Sequence, residues 1–309
     1  GIDSIVTVEA VRGRHPDAAL FVVSRAGDRF EAIERPAKLT GLPVRRAGRE
    51  VDPAVLRSAE LGFLNGHVPV TGILSAIAVL AAVLDGHDAV VMSNEWSASA
   101  GNLDVGGREV NHQWSKGLAF ELAFAHILHA TFGPTPRYFS LLRPYSELWV
   151  ARRFAALDRY HRDFMSCNRA FHLDPASRQD RWCGTCDKCC FIDLVLAAFM
   201  PAATLAEVFG GREPLADPAL LGRFRTLVGV GGSPKPFECV GEVGECRAAA
   251  RLAAARPDRD GNAVLRALVD GLGPAPAGGS PDHPLPDDLL RPLGEHRVPD
   301  GFAPDDLLV

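Results

Sequence analysis

The stretch from Val70 to Glu95, VTGILSAIAVLAAVLDGHDAVVMSNE, holds a helix, a tight turn, a strand and a polar cluster in 26 residues. Val70 to Leu84 is apolar on every side and closes on Asp85-Gly86-His87-Asp88. The uncharged run reaches back to Val68, 17 residues in all, but Pro69, Thr71, Gly72 and Ser75 interrupt it. A bilayer needs about 17–25 predominantly apolar residues. The run is therefore predicted to be a buried core helix rather than a membrane span. Ala89 to Met92 (AVVM) is a short apolar run of the kind found in buried parallel strands.

The same alternation extends outward. Upstream lie an amphipathic helix over Ile5–Val11, a strand over Ala19–Ser24, a second strand from Gly41, and a helix start at Asp52-Pro53. Downstream, helical spacing over Ser115–Ala130 stops at Gly133-Pro134. A strand over Tyr138–Leu142 and a helix over Ser146–Leu157 follow, and a further helix runs from Phe191 to Met200. Strands alternating with helices predict an α/β fold with a parallel sheet. Three regions are expected: an α/β domain over 1–160, a Cys-rich knuckle with a helical region over 161–250, and a Pro/Gly-rich tail over 251–309. Gly271–Pro286 is the densest Gly/Pro stretch, and the final twenty residues are expected to be extended or disordered. No internal repeat is present.

Composition narrows the function classes. The 309 residues are 47% hydrophobic and 23% charged, which excludes a disordered chain. With 33 basic against 38 acidic residues, no global field favours nucleic acid or an anionic membrane. The N-terminus has no charged n-region, apolar h-region or small-residue cleavage site. Five of the seven cysteines fall between Cys167 and Cys190. Clustered thiols without an export signal read as metal ligands or reactive groups, and they predict a cytoplasmic protein.

Cys183-Gly184-Thr185-Cys186-Asp187-Lys188-Cys189 is Cys-x2-Cys-x2-Cys, with Cys167 upstream. Four such thiolates suit the tetrahedral demand of structural zinc. An iron–sulfur cluster, catalytic thiols and plain buried cysteines are the alternatives. Cys190, beside Cys189, is assigned to the core, and His172 is a spare ligand or a solvated loop residue.

Polar clusters follow several predicted strands, where open α/β sheets bind ligands. In Ser93-Asn94-Glu95-Trp96-Ser97, Glu95 is placed to bind magnesium or act as a base, and Asn94 and Ser97 to hold oxygens. The same residues also suit a capped turn. Asn65-Gly66-His67 precedes the apolar helix, where His67 is either a nucleotide contact or a cap. Lys116, in Asn111-His112-Gln113-Trp114-Ser115-Lys116, and Arg143, in Arg143-Pro144-Tyr145-Ser146-Glu147, are candidates for substrate anions. Lys235-Pro236-Phe237-Glu238-Cys239-Val240-Gly241 gathers a cation, a carboxylate and a thiol, or is a plain polar loop. Gly1-Ile2-Asp3-Ser4, followed by a helix, resembles the back half of the Ser-Gly-Gly-x-Asp-Ser loop of the N-type ATP pyrophosphatases. Glycine there permits close approach, and helix amides cradle pyrophosphate. Asp3 or Ser4 acting only as a helix cap is the alternative.

Gly1–Ser4, Asn65–His67 and the cysteine spacing together resemble the 7-cyano-7-deazaguanine synthase branch of those pyrophosphatases. The ordered set Ser93–Ser97, Asn111–Lys116, Leu142–Leu148 and Lys235–Gly241 resembles the MurL family more closely, from Gly1 to about Glu245. MurL enzymes are UDP-N-acetyl-α-D-muramoyl-L-alanyl-L-glutamate epimerases of peptidoglycan synthesis. The resemblance implies an adenine nucleotide alpha-hydrolase-like (PP-loop) domain whose first strand and leading Ser-Gly lie before residue 1. It also implies an ATP- and Mg2+-dependent reaction through an acyl-adenylate, with AMP and diphosphate released.

On that resemblance Gly1, Asp3, Ser4, His67, Asn94 and Ser97 hold nucleotide and Mg2+, with Glu95 binding the metal or orienting the nucleotide. Lys116, Arg143 and Lys235 meet the anions of UDP-MurNAc-L-Ala-L-Glu, and Glu238 and Cys239 are candidates for proton transfer. Cys167, Cys183, Cys186 and Cys189 bind Zn2+. Another adenylating enzyme, of the deazaguanine synthase or tRNA-modifying kind, and a non-catalytic zinc-knuckle module are the rival readings.

Overall fold

The computed structural model describes residues 1–63, 69–101, 103–172, 174–232, 236, 238, 240–274, 278–280 and 284–302. The expected alternation is present: α1 (Ile2–Arg12), β1 (Leu20–Ser24), α2 (Glu31–Thr40), β2 (Val44–Gly48), α3 (Pro53–Leu56), α4 (Val70–Asp85) and β3 (Ala89–Met92). After a hairpin of β4 (Leu103–Val105) and β5 (Arg108–Val110) come α5 (Leu118–Phe132), β6 (Arg137–Ser140) and α6 (Glu147–Ala155). The rest is helical: α7 (Asp187–Ala197), α8 (Ala202–Val208), α9 (Leu221–Leu227), α10 (Val243–Ala254), α11 (Ala263–Leu272) and α12 (Pro286–Leu289).

Among the described residues the parallel strands form two separate pairs, compatible with the α/β class but not joined into the one sheet expected from the sequence. β1 runs beside β2, Leu20 opposite Val44, and β3 beside β6, Ala89 opposite Arg137. The β4–β5 hairpin was not anticipated, although Gly106-Gly107 marks it. Both glycines have positive φ (63° and 81°), the conformation a two-residue turn requires.

Local signals fix several boundaries. Asp52 caps α3 by accepting the Ala54 N–H at 2.7 Å, and Ser146 caps α6 by accepting the Trp149 N–H at 2.9 Å. The main core lies in the C-terminal half. There α6, α7 and α10 bury Leu148, Trp149, Phe154, Phe191, Leu194 and Leu196. α1 joins that core through Ile2, Ile5 and Val6.

Two expectations are corrected. α4 is not a buried core helix: Ser75, Val79 and Ala82 are buried, whereas Leu80 is 59% and Leu84 76% exposed. One face packs onto β3 and the other carries its apolar residues outward. The 251–309 region is more than a tail as far as residue 302, although extension is expected only of its final twenty residues, which form no helix or strand over 290–299. α11 buries Val264, Leu265 and Leu268, Leu289 is buried, and Phe302 packs edge-on to Phe139 at 4.9 Å and stacks on His15 at 4.1 Å. The Ser146 hydroxyl also donates to the Leu289 carbonyl at 2.7 Å. No helix among the described residues is long and apolar enough to cross a membrane.

Candidate functional site

β3 and β6 end side by side, and the loops beyond them turn toward the first turn of α1. Glu95 follows β3, Glu147 is the first residue of α6 after β6, and Asp3 lies in the first turn of α1. One carboxylate oxygen from each of Asp3, Glu95 and Glu147 lies within 4.8 Å of the other two. Three acids so close repel one another. Burial, with Asp3 next in effect, pushes the Glu95 carboxyl above its ordinary range. Glu147 is pushed up further by burial, then by Asp3 and Glu95.

Two helix N-termini face this point and favour negative charge there. Asp3 Oδ1 and Glu147 Oε2 are buried without a hydrogen-bond partner, although buried polar atoms are nearly always satisfied. Octahedral Mg2+ holds oxygens about 2.1 Å away, so its ligands sit about 3–4 Å apart. The donor set, the spacing and the unsatisfied oxygens fit a hard divalent cation. Gly1, rather than Asp3 or Ser4, occupies the N-cap of α1, and both Gly1 and Ser4 are exposed beside the trio.

The other candidates sort by geometry. Asn94 is buried, and its backbone carbonyl accepts the Ser140 hydroxyl at 2.6 Å. Ser97 is buried with its hydroxyl unpartnered. Lys116 is half-buried, and its charge favours ionised Glu95. Glu238 is half-buried, its Oε2 unpartnered, and burial raises its carboxyl. His67, Lys235 and Cys239 lie outside the described residues.

Arg143 requires a correction. It is 1% exposed, and every guanidinium N–H is used inside the chain. Nε and Nη2 bind Glu121 Oε2 at 3.1 and 3.0 Å, Nη1 binds the Glu95 carbonyl at 2.7 Å and Ser99 Oγ at 3.2 Å, and Nη2 also binds the Lys116 carbonyl. No N–H is left for a substrate anion, so Arg143 ties together the loops that carry Glu95 and Lys116.

The four cysteines singled out as ligands come together. Cys186 is the N-cap of α7, Cys189 sits in its first turn, and Gly184 (φ 67°) turns the chain between Cys183 and Cys186. The four Sγ atoms of Cys167, Cys183, Cys186 and Cys189 lie within 4.8 Å of one another, with Cys183–Cys189 at 3.6 Å and Cys186–Cys189 at 3.4 Å. A Zn–S distance of about 2.3 Å places tetrahedral sulfurs about 3.8 Å apart, so the set fits zinc. The Thr185 N–H also donates to Cys183 Sγ at 3.5 Å. Hydrogen bonds from Cys186 and Cys189 hold Cys167 down at about 3. Cys190 is fully buried outside the cluster, and His172 is exposed.

Sequence reasoning assigned no role to Glu121, Glu147 or Glu245. Glu147 reads as an ordinary first-turn acid, and Glu245 as the N3 member of a capping box.

Two family models match in order along the chain, the MurL N-terminal domain over residues 1–141 and the MurL C-terminal domain over residues 163–279. The chain belongs to the MurL family. Three relatives carry the name UDP-N-acetyl-alpha-D-muramoyl-L-alanyl-L-glutamate epimerase. The one from Xanthomonas oryzae pv. oryzae is 43% identical over 97% of this chain and 64% of its own length. The Salinispora tropica protein is 46% identical over 88% of this chain and 58% of its own, and the Micromonospora sp. protein 43% over 98% and 65%. The chain thus spans 58–65% of the length of these relatives. No solved structure matches it. Asp3 and Glu95 fall within the MurL N-terminal domain, the cysteines and Glu245 within the C-terminal domain, and Glu147 between the two.

Proposed function

We propose that this chain carries the chemistry of an ATP- and Mg2+-dependent epimerase that inverts the terminal L-Glu of UDP-MurNAc-L-Ala-L-Glu. The observation that carries the reading is the Asp3–Glu95–Glu147 trio at the ends of β3 and β6, in a chain whose relatives bear that epimerase name. The likeness of Gly1–Ser4 to a pyrophosphatase loop supports ATP as co-substrate and a PP-loop ancestry for the α/β part.

The chemistry explains why a nucleotide is needed. An α-proton beside a carboxylate is hard to remove because the product gathers two adjacent negative charges. Joining the carboxylate to AMP, with diphosphate leaving, removes one charge and gives the carbanion an acyl group into which it delocalises. One residue then takes the proton from one face and another returns a proton to the opposite face. Water cleaves the mixed anhydride to release AMP.

Asp3, Glu95 and Glu147 would hold Mg2+, which when bound neutralises phosphate charge during adenylation. The α1 amides after Gly1 orient phosphate oxygens, and Lys116 beside Glu95 offers a cation to the same charge. Glu238 and Cys239 remain the proton-transfer candidates, and burial raises the Glu238 carboxyl above its ordinary value. The knuckle cysteines would hold Zn2+ as a structural brace for α7.

The test is incubation with UDP-MurNAc-L-Ala-L-Glu, ATP and Mg2+ in D2O, for this chain and for one extended to the length of its relatives. AMP release coupled to deuterium at the glutamate α-carbon is the expected result. AMP without deuteration would establish another adenylating enzyme. Neither signal in either chain would leave a zinc-knuckle binding module.

A further inference from the structure

The helical half reaches the carboxylate trio through a buried glutamate. Glu245 is 1% exposed and is the third residue of α10. Its Oε2 accepts the Glu242 N–H at 2.9 Å, one half of a capping box in whose other half the Glu242 side chain accepts the N3 amide. Its Oε1 leaves the helix and accepts the Glu147 N–H at 3.0 Å, 98 residues away in sequence. That amide opens α6 and has no acceptor within its own helix. The Ser146 hydroxyl serves Trp149 instead. One carboxylate therefore caps two helices from different parts of the chain.

Gly241 closes on the same side chain. A Cβ at Gly241 would stand 2.8 Å from Glu245 Oε2 and 3.0 Å from the Phe191 ring, so the chain passes there only as glycine. Glu147, in turn, is 4% exposed, and its Oε2 has no hydrogen-bond partner. The backbone under Glu147, and what grips it, therefore sets where that oxygen points.

We infer that Glu245 is a positioning residue that, by gripping the Glu147 amide, fixes the Glu147 carboxylate against Asp3 and Glu95, so that the C-terminal domain sets the geometry of the cation centre. The inference rests on reading that trio as a cation centre. It assigns the influence of the C-terminal domain on the Glu147 carboxylate to one hydrogen bond, beside the packing that joins α1 and α6 to the core. Groups that orient metal ligands from behind typically cost about 10–100-fold in metal affinity when removed.

The test measures Mn2+ binding, with Mn2+ alone as the probe, by loss of the free-ion EPR signal. Asp3→Asn and Glu95→Gln locate the ion. Glu245→Ala is expected to weaken Mn2+ by about 10–100-fold. Glu245→Gln, whose carbonyl still accepts the Glu147 N–H, is expected to recover most of that loss. Glu242→Ala removes the one capping-box bond that its side chain makes, but neither the Glu242 N–H bond to Glu245 nor the bond to Glu147, and is expected to stay near wild type. In parallel, hydrogen exchange at the Glu147 amide should speed up in Glu245→Ala and return toward wild type in Glu245→Gln.

Equal Mn2+ losses in Glu245→Ala and Glu242→Ala would overturn the inference, because helix capping alone would then explain them. Unchanged exchange at Glu147 in Glu245→Ala would overturn it as well. If wild type takes up no Mn2+ at Asp3 and Glu95, the cation reading fails by itself, and the Glu147 exchange still decides whether Glu245 positions α6.

Discussion

Replacing Arg143 by Met separates two roles that the sequence alone could not tell apart. In the structure the guanidinium neutralises Glu121, which is 2% exposed, and bonds the Glu95 and Lys116 carbonyls. Methionine fills similar volume but leaves Glu121 as a buried carboxylate without its hydrogen-bonded counter-charge, its Oε1 already lacking a partner. Breaking a buried pair from one side costs about 3–5 kcal/mol. At about 2–4 °C per kcal/mol for a large domain, the melting temperature should fall by on the order of 10 °C.

The double variant Arg143→Met/Glu121→Leu removes both charges. It should recover most of that loss, short of about 1 kcal/mol for each carbonyl left without its donor. Thermal denaturation with a double-mutant cycle measures both terms, and substrate kinetics on Arg143→Lys supply the contrast. A stable Arg143→Met, a double variant no better than the sum of the singles, or an Arg143→Lys that keeps its stability while only KM rises would each refute the internal tie. The last result would return Arg143 to the substrate.

Each chain should carry one zinc by elemental analysis, and Cys167→Ser or Cys186→Ser should release it with loss of the α7 fold, whereas Cys190→Ala should keep it. Gly241→Ala should cost about 1–3 kcal/mol by overpacking against Glu245 and Phe191, with activity falling further than stability. Asp193 is fully buried, and burial, with Glu213 next, lifts its carboxyl well above the 3.8 of an unfolded chain. A raised carboxyl contributes stability that is complete below 3.8 and is lost as pH rises through the folded value. Asp193→Asn keeps an acceptor for the Leu215 N–H and should flatten that decline, read as melting temperature from pH 4 upward.

Local features were legible because their signals are local. Three of the four clustered cysteines are written in one turn-and-helix segment, and Asp52-Pro53 and Ser146 announce the helices they cap. α4 misled because a helix apolar on all sides ordinarily reads as buried, and which face meets a neighbour is decided by the packing of β3 and α5. Arg143 misled for the opposite reason. An arginine at a strand end looks like an anion fork until its partner Glu121, on another helix, is known. The single sheet was inferred from alternation, which counts strands but does not say which of them pair.

The acidic centre shows where sequence reading stops. Asp3 and Glu95 drew notice because each stands in a motif. Glu147 and Glu245 each satisfy an ordinary helix rule, an acid in the first turn and an N3 capping glutamate, and such rules hide a second role. What distinguishes them is an excess that propensity does not require: a buried oxygen without a partner on Glu147, and on Glu245 an oxygen spent on an amide 98 residues away. A helix cap needs neither. That excess appears only when α1, β3, α6 and α10 meet, so the centre belongs to the assembled fold, and its geometry depends on both MurL domains at once.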